Sequence, residues 1–254
     1  EGSYNDVRLM SDGYLYIISS DDKYLDYEET SDDDIDNYIP QYCVGNESRY
    51  VDPENIMIPS CKITELYDYV SYTNISGLDL NSETPNQPVD MKSIAGYTNN
   101  VYCSPQNLYV VSGYDESEIT RFSVSGGAVA PQASGKVNGY VNDQFSMSEY
   151  NGFFRIAVTE NVWEESTVFA EEDSSIATNA LVTQKNSLYV LDMDMKVVGS
   201  ISDFGINEQI KSVNFSGDTA YAVTFRQTDP LYAIDLSNPY SPVMLDELKI
   251  SGYS

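Results

Sequence analysis

The sequence predicts an all-β chain built as a β-propeller, with about four four-stranded antiparallel blades in its 254 residues. Three observations carry that expectation. The 22 tyrosines and short β-branched runs are punctuated by Asn, Asp, Ser, Gly and Pro, the composition of strands separated by tight turns. A strand–turn–strand form with an aromatic near the start of its second strand recurs four times. Each copy is followed by a second two-strand unit, so the period is four strands.

The elements follow in chain order, with the strands of each blade named A to D. The A–B hairpins are VRLMSDGYLYIIS (7–19), VYCSPQNLYVVSG (101–113), FSMSEYNGFFRIAV (145–158) and VNFSGDTAYAVTF (213–225). Each places Gly, Asn or Asp at its turn, where positive φ is needed. The C–D units are ISGLDLNSETPNQPVDMKSI (75–94), ITRFSVSGGAVAPQASGKV (119–137), LYVLDMDMKVVGSI (188–201) and LYAIDLSNPYSPVMLDELKI (231–250). In the last, Leu231, Ala233 and Asp235 alternate with Tyr232, Ile234 and Leu236, the period of a strand, and Pro239 and Pro242 confine the turn that follows. The stretch DPLYAIDLSNPYSPVML (229–245) is therefore expected to be scaffold rather than site. A β-sandwich is the rival architecture, but it gives no reason for the same two hairpins to recur four times in register. The blades are expected at approximately 5–95, 98–138, 142–201 and 210–250 within a single domain, with acidic loop insertions near 20–67 and 160–185.

Charge narrows the partners. Thirteen basic against 40 acidic side chains give a net charge of −27, a field that repels nucleic acid and anionic lipid surfaces. The chain has no histidine, which removes Ser-His-Asp and Cys-His catalysis and ordinary zinc sites. No apolar run approaches the roughly 18 residues that span a bilayer, so no transmembrane segment is expected. Of three cysteines, Cys43 and Cys61 flank the first acidic segment and are a candidate disulfide, against the alternative of three unpaired thiols; Cys103 sits in a strand-like run.

In a propeller the A–B and C–D turns lie on one face, and the B–C and D–A connections lie on the other. Both insertions and the RQTDP turn (226–230) are B–C connections, which puts candidate function on one face. Asp21, Asp22, Asp32, Asp33, Asp34 and Asp36 supply hard oxygens of the kind calcium takes, although the glycine and terminal glutamate of an EF-hand loop are missing. The bland alternative is a solvated acidic run. Trp163, the single tryptophan, is a candidate for stacking on a sugar or peptide, or a residue that packs its loop down. Arg226, Gln227 and Asp229, with Arg155 and Gln144 in the third blade, are candidate ligand contacts, or else serve an internal salt bridge to Asp229 or a neighbouring blade.

Three segments, 223–254 (VTFRQTDPLYAIDLSNPYSPVMLDELKISGYS), 136–159 (KVNGYVNDQFSMSEYNGFFRIAVT) and 186–201 (NSLYVLDMDMKVVGSI), resemble a family of secreted bacterial and archaeal proteins with a C-terminal β-propeller domain, distantly similar to WD-type repeats. The resemblance covers most of 90–254 and is looser before that. It implies export, a propeller fold and no assigned chemistry. Domains of that family are longer, which implies an arc or fragment of a larger propeller, with further blade-like sequence before Val7 and after Ser254.

The functional expectation is a non-enzymatic secreted or cell-surface propeller that binds a protein, peptide or glycan through its loop-rich face, with no cofactor beyond the calcium candidate. Two alternatives stand beside it. One is a carbohydrate-active enzyme using paired carboxylates about 5–9.5 Å apart in a pocket. The other is a structural spacer within a larger envelope protein.

Overall fold

The computed structural model describes residues 3–24, 38–58, 69–168, 177–225 and 229–250. They form four antiparallel sheets, each a meander in chain order, as the repeat predicts. The first holds β1 (Ser3–Leu9), β2 (Tyr14–Tyr24), β6 (Tyr69–Asp79) and β7 (Pro88–Ala95). The second holds β8 (Asn100–Cys103), β9 (Asn107–Ser112), β10 (Glu116–Ser125) and β11 (Ala128–Asn138). The third consists of β12 (Met147–Tyr150), β13 (Phe153–Val168), β14 (Ala177–Leu191) and β15 (Val197–Phe204). The fourth consists of β16 (Gln209–Ser216), β17 (Thr219–Phe225), β18 (Asp229–Asp235) and β19 (Val243–Ile250).

Turn chemistry sets the hairpins. Tyr150 pairs with Phe153, so Asn151 and Gly152 alone make the connection, and both have positive φ (51° and 76°). Asn-Gly tolerates that geometry, whose twist matches the flanking strands. The segments expected as loop insertions contain more sheet than anticipated. Within 20–67, a two-stranded hairpin forms from β3 (Gln41–Val44) and β4 (Glu47–Tyr50), while β5 (Ile56–Met57) adds in parallel to the outer edge of β7. Within 160–185, β13 and β14 simply continue.

The chain divides into two compact units, residues 1–112 with 120–132, and residues 113–119 with 133–254. In the first, Tyr16, Ile18 and Ile75 of the first sheet pack against Leu108, Val110 and Phe122 of the second, all at most 3% exposed. In the second, Ala157, Leu188 and Val190 of the third sheet meet Ala220, Ala222 and Ile234 of the fourth, again almost fully buried. Small alanines on β17 let the sheets approach while the leucine and isoleucine fill between them. Each fully buried Leu or Ile contributes about 1.5–3 kcal/mol relative to exposure.

A second device recurs between sheets. The C–D turn of one sheet sets a backbone carbonyl against a glycine of the sheet before it. In the first unit, a Cβ added at Gly77 of β6 would lie 1.9 Å from the Gly127 carbonyl oxygen. In the second, a Cβ at Gly135 of β11 would lie 2.0 Å from the Met195 carbonyl oxygen, and one at Gly199 of β15 would lie 2.2 Å from that of Pro239. Only a residue without a side chain admits such contact. DPLYAIDLSNPYSPVML thus lies in the scaffold, and its Asn-Pro turn is the part that docks.

Gly135→Ala and Gly199→Ala should each lower unfolding free energy by about 1–3 kcal/mol, the usual cost of forcing atoms into a packed site. Urea denaturation measures it, with exposed Ser200→Ala as the neighbouring control, expected within about 0.5 kcal/mol of the parent.

Candidate functional site

The third sheet carries the feature that organises the site. Its inner strands pair without interruption from Phe154–Leu191 outward to Val168–Ala177, whereas β12 pairs with β13 only as far as Ile156 and β15 with β14 only as far as Asn186. Residues 160–168 and 177–185 therefore form a two-stranded ribbon that extends beyond the sheet. An isolated ribbon is marginally stable, so its base must be held by other contacts.

Asn186 provides that hold. Fully buried, its Nδ2 lies 3.1, 3.0 and 3.0 Å from the carbonyl oxygens of Phe204, Gly205 and Glu208 and shares its two N–H donors among them. Its Oδ1 accepts from the Thr159 hydroxyl at 2.8 Å, and that hydroxyl accepts from the Ile210 N–H at 3.2 Å. The Asn207 N–H donates to the Gln184 carbonyl at 2.8 Å, fastening the connection between β15 and β16 to the ribbon edge. Asn207 itself has φ 62°, a left-handed conformation that Asn adopts more readily than most residues.

Above this base lies a groove of about 470 Å³ lined by Val182, Gln184, Asn207, Gln209, Lys211 and Phe225. The amides are oriented by neighbours. Gln184 Nε2 donates to Asn161 Oδ1 at 3.1 Å, and Gln209 Nε2 donates to the Tyr140 hydroxyl at 2.9 Å. Lys211 Nζ donates to Gln209 Oε1 at 3.0 Å. Burial raises the Tyr140 phenol above its ordinary value, against the opposing pull of Gln209 and Thr159, so it is neutral at physiological pH. Phe225 is the cross-strand partner of Gln209, and Trp163 that of Val182. Directly paired residues share a sheet face, so Trp163 (63% exposed) lies on the ribbon face that also presents Val182 and Gln184.

The residues singled out from the sequence are scattered. Trp163 is beside the groove. Arg155 is only 4% exposed and turns inward: Nη1 donates to the Gly217 carbonyl at 2.6 Å, Nη2 to the Ser148 hydroxyl at 2.7 Å, and the guanidinium lies over Tyr150 and Phe215 at 4.9 and 4.8 Å. It clamps the A–B turn of the fourth sheet to the third. Gln144 is exposed in a 3₁₀ turn capped by Asp143. Asp229 opens β18, while Arg226 and Gln227 lie outside the described residues.

Of the calcium candidates, Asp21 is paired with Lys23 at 3.2 Å, and Asp22 accepts from the Ser71 hydroxyl at 2.5 Å. As adjacent residues of one strand they point to opposite faces. Asp32, Asp33, Asp34 and Asp36 lie outside the described residues, among which no group of three His, Cys, Asp or Glu is placed to hold a metal. Cys43 is exposed on β3; its proposed partner Cys61 is outside the described residues. Among those residues no helix is long and apolar enough to cross a membrane.

Gln184, Asn207, Gln209, Lys211 and Phe225 were not anticipated from the sequence. Reading 160–185 as a hairpin would have exposed part of the set, because alternation then places Asn161, Trp163, Val182 and Gln184 on one face. Two carboxylates do converge in this unit, but not in the groove: Glu208 and Glu247 lie 3.4 and 3.3 Å from the Tyr232 hydroxyl.

Comparison with known proteins agrees with this architecture. The sequence model of the family described as "Beta propeller domain" matches residues 1–254. The uncharacterized protein MJ1554 of Methanocaldococcus jannaschii is 43% identical over 121 residues, 48% of this chain and 17% of the relative. An uncharacterized protein of Archaeoglobus fulgidus is 39% identical over 140 residues, 55% of this chain and 19% of the relative. The chain thus matches less than a fifth of the length of either. Among solved structures, the Pyrococcus horikoshii acylaminoacyl peptidase superposes with a TM-score of 0.50 at 11% identity, covering 99% of this chain and 33% of that one. At that identity the likeness is one of fold.

Tyr232 supplies a pH-dependent signature for this unit. Burial, then Glu208 and Glu247, push its phenol from 10.0 up to about 12. Below pH 10 the hydroxyl is protonated in both folded and unfolded chains. Between about 10 and 12 the unfolded chain loses the proton first, so stability should fall as pH rises through that range. Tyr232→Phe should flatten the fall, as read from denaturation midpoints at pH 9, 10, 11 and 12.

Proposed function

We propose that this chain, which belongs to the beta propeller domain family, is a non-enzymatic binding module of a secreted or cell-surface protein. It takes a protein, peptide or glycan partner on the face that carries the ribbon and groove of its second unit. One observation carries the reading: a groove of about 470 Å³ whose amide side chains are pre-oriented by internal hydrogen bonds and flanked by exposed apolar side chains. Such a combination of shape, fixed polar groups and apolar wall is what a small-ligand site requires. Preorganisation lowers the entropic cost of binding, because the amides need not be ordered by the ligand.

The described residues of the groove walls also lack the parts that hydrolysis would need. Val182, Gln184, Asn207, Gln209, Lys211 and Phe225 include no carboxylate to act as acid, base or nucleophile. Export rests on the resemblance to secreted propeller proteins.

The test is a screen of the purified chain on glycan and peptide arrays, with mass spectrometry of the hits after incubation. Binding without turnover is expected, and the double variant Gln184→Ala/Gln209→Ala should abolish it while retaining the parent melting temperature. Cleaved products, or binding indifferent to that variant, would contradict the reading.

A further inference from the structure

We infer that the groove accepts an uncharged oligosaccharide, a step that rests on the binding reading above and narrows it to one ligand class. Charge comes first. The chain carries −27 overall, so its field opposes a polyanion. A cationic peptide would be drawn to that field, yet the described residues that line the groove include no carboxylate, and the charged one among them, Lys211, repels a cation locally. The described lining thus opposes a cation while the field of the whole chain opposes an anion, so a charged ligand of either sign meets repulsion.

The remaining chemistry is that of amides and exposed apolar rings. An amide side chain has two N–H donors and an acceptor oxygen with two lone pairs. The hydrogen bonds to Asn161, Tyr140 and Lys211 use some of these on Gln184 and Gln209 and fix the direction of the rest. Vicinal sugar hydroxyls both donate and accept, so they match such groups without bringing charge. The C–H face of a pyranose ring is apolar and packs on aromatic rings. Phe225 and Trp163, 45% and 63% exposed, provide that surface at two places, one beside Gln209 and the other beyond Gln184 on the ribbon. Two aromatics separated along a groove suit several linked rings.

An extended peptide would instead be read through backbone hydrogen bonds to an open strand edge. At the groove part of that edge is taken, since the Gln184 carbonyl already accepts from Asn207.

The experiment uses the intrinsic fluorescence of Trp163, the single tryptophan of the chain, together with calorimetry. The probes are cellohexaose, mannohexaose and chitohexaose, a heparin-derived hexasaccharide, and a lysine-rich peptide. At least one uncharged hexasaccharide should change the Trp163 emission and bind with measurable heat. Phe225→Ala and Gln209→Ala should each weaken that binding by about tenfold, in keeping with the loss of a stacking or hydrogen-bonding contact. Lys196→Met, an exposed lysine in the C–D turn of the third sheet and outside the groove lining, should leave it within about twofold. Binding of the heparin fragment or the peptide alone, sensitive to the same variants, would overturn the uncharged class and leave the binding module standing. Absence of binding by all three probe classes would overturn both.

Discussion

The contact on which the second unit depends is a backbone carbonyl pressed against a residue that has no side chain. Met195 and Pro239, each in a C–D turn, meet Gly135 and Gly199 in the sheet that precedes their own. Hydrophobic burial alone would tolerate some sliding of one sheet over another, because it is non-directional. A turn seated at a glycine does not slide, since the flanking residues carry Cβ atoms that would strike it. Arg155 adds a second tie between the same pair of sheets, where its guanidinium holds the Gly217 carbonyl. Pinned at both points, the third and fourth sheets close over Leu188, Val190, Ala222 and Ile234 in one register.

That register places the site. Once the two sheets are fixed, β16 starts beside the base of the ribbon, and Asn186 can reach the Phe204, Gly205 and Glu208 carbonyls together. A buried amide with its donors and acceptor engaged is rigidifying; the same amide with partners removed would be strongly destabilising. The groove is thus a by-product of how the connection between β15 and β16 is tied down, and its polar lining is the exposed margin of that network.

Much of the architecture was legible because it rests on local chemistry. Asn151-Gly152 announces a two-residue turn, and the alternation from Leu231 to Leu236 announces a strand with one face inward. Four repeats of that grammar imply a series of four-stranded antiparallel sheets, as found. The ribbon was less legible. Its sequence ENVWEESTV has charge on both faces and no neighbouring sheet to impose an apolar alternation, so strand and loop look alike until the partner strand is known. Arg155 shows the converse: its sequence leaves open a ligand contact or an internal partner, and only the geometry of the next turn reveals the carbonyl and two rings it meets. The glycine contacts at Gly135 and Gly199 depend on residues about 40 to 60 positions away and leave no local signal.

The functional account comes down to whether the pre-oriented amides and the aromatics beside them engage one ligand at one place. A crystal structure of the chain soaked with the best-binding uncharged oligosaccharide tests this most directly. The account predicts sugar rings in the groove between β14 and β16, packed on Phe225 or Trp163, with hydroxyls bonded to Gln184 and Gln209. Density at another surface, with the groove occupied by water alone at saturating ligand, would contradict it.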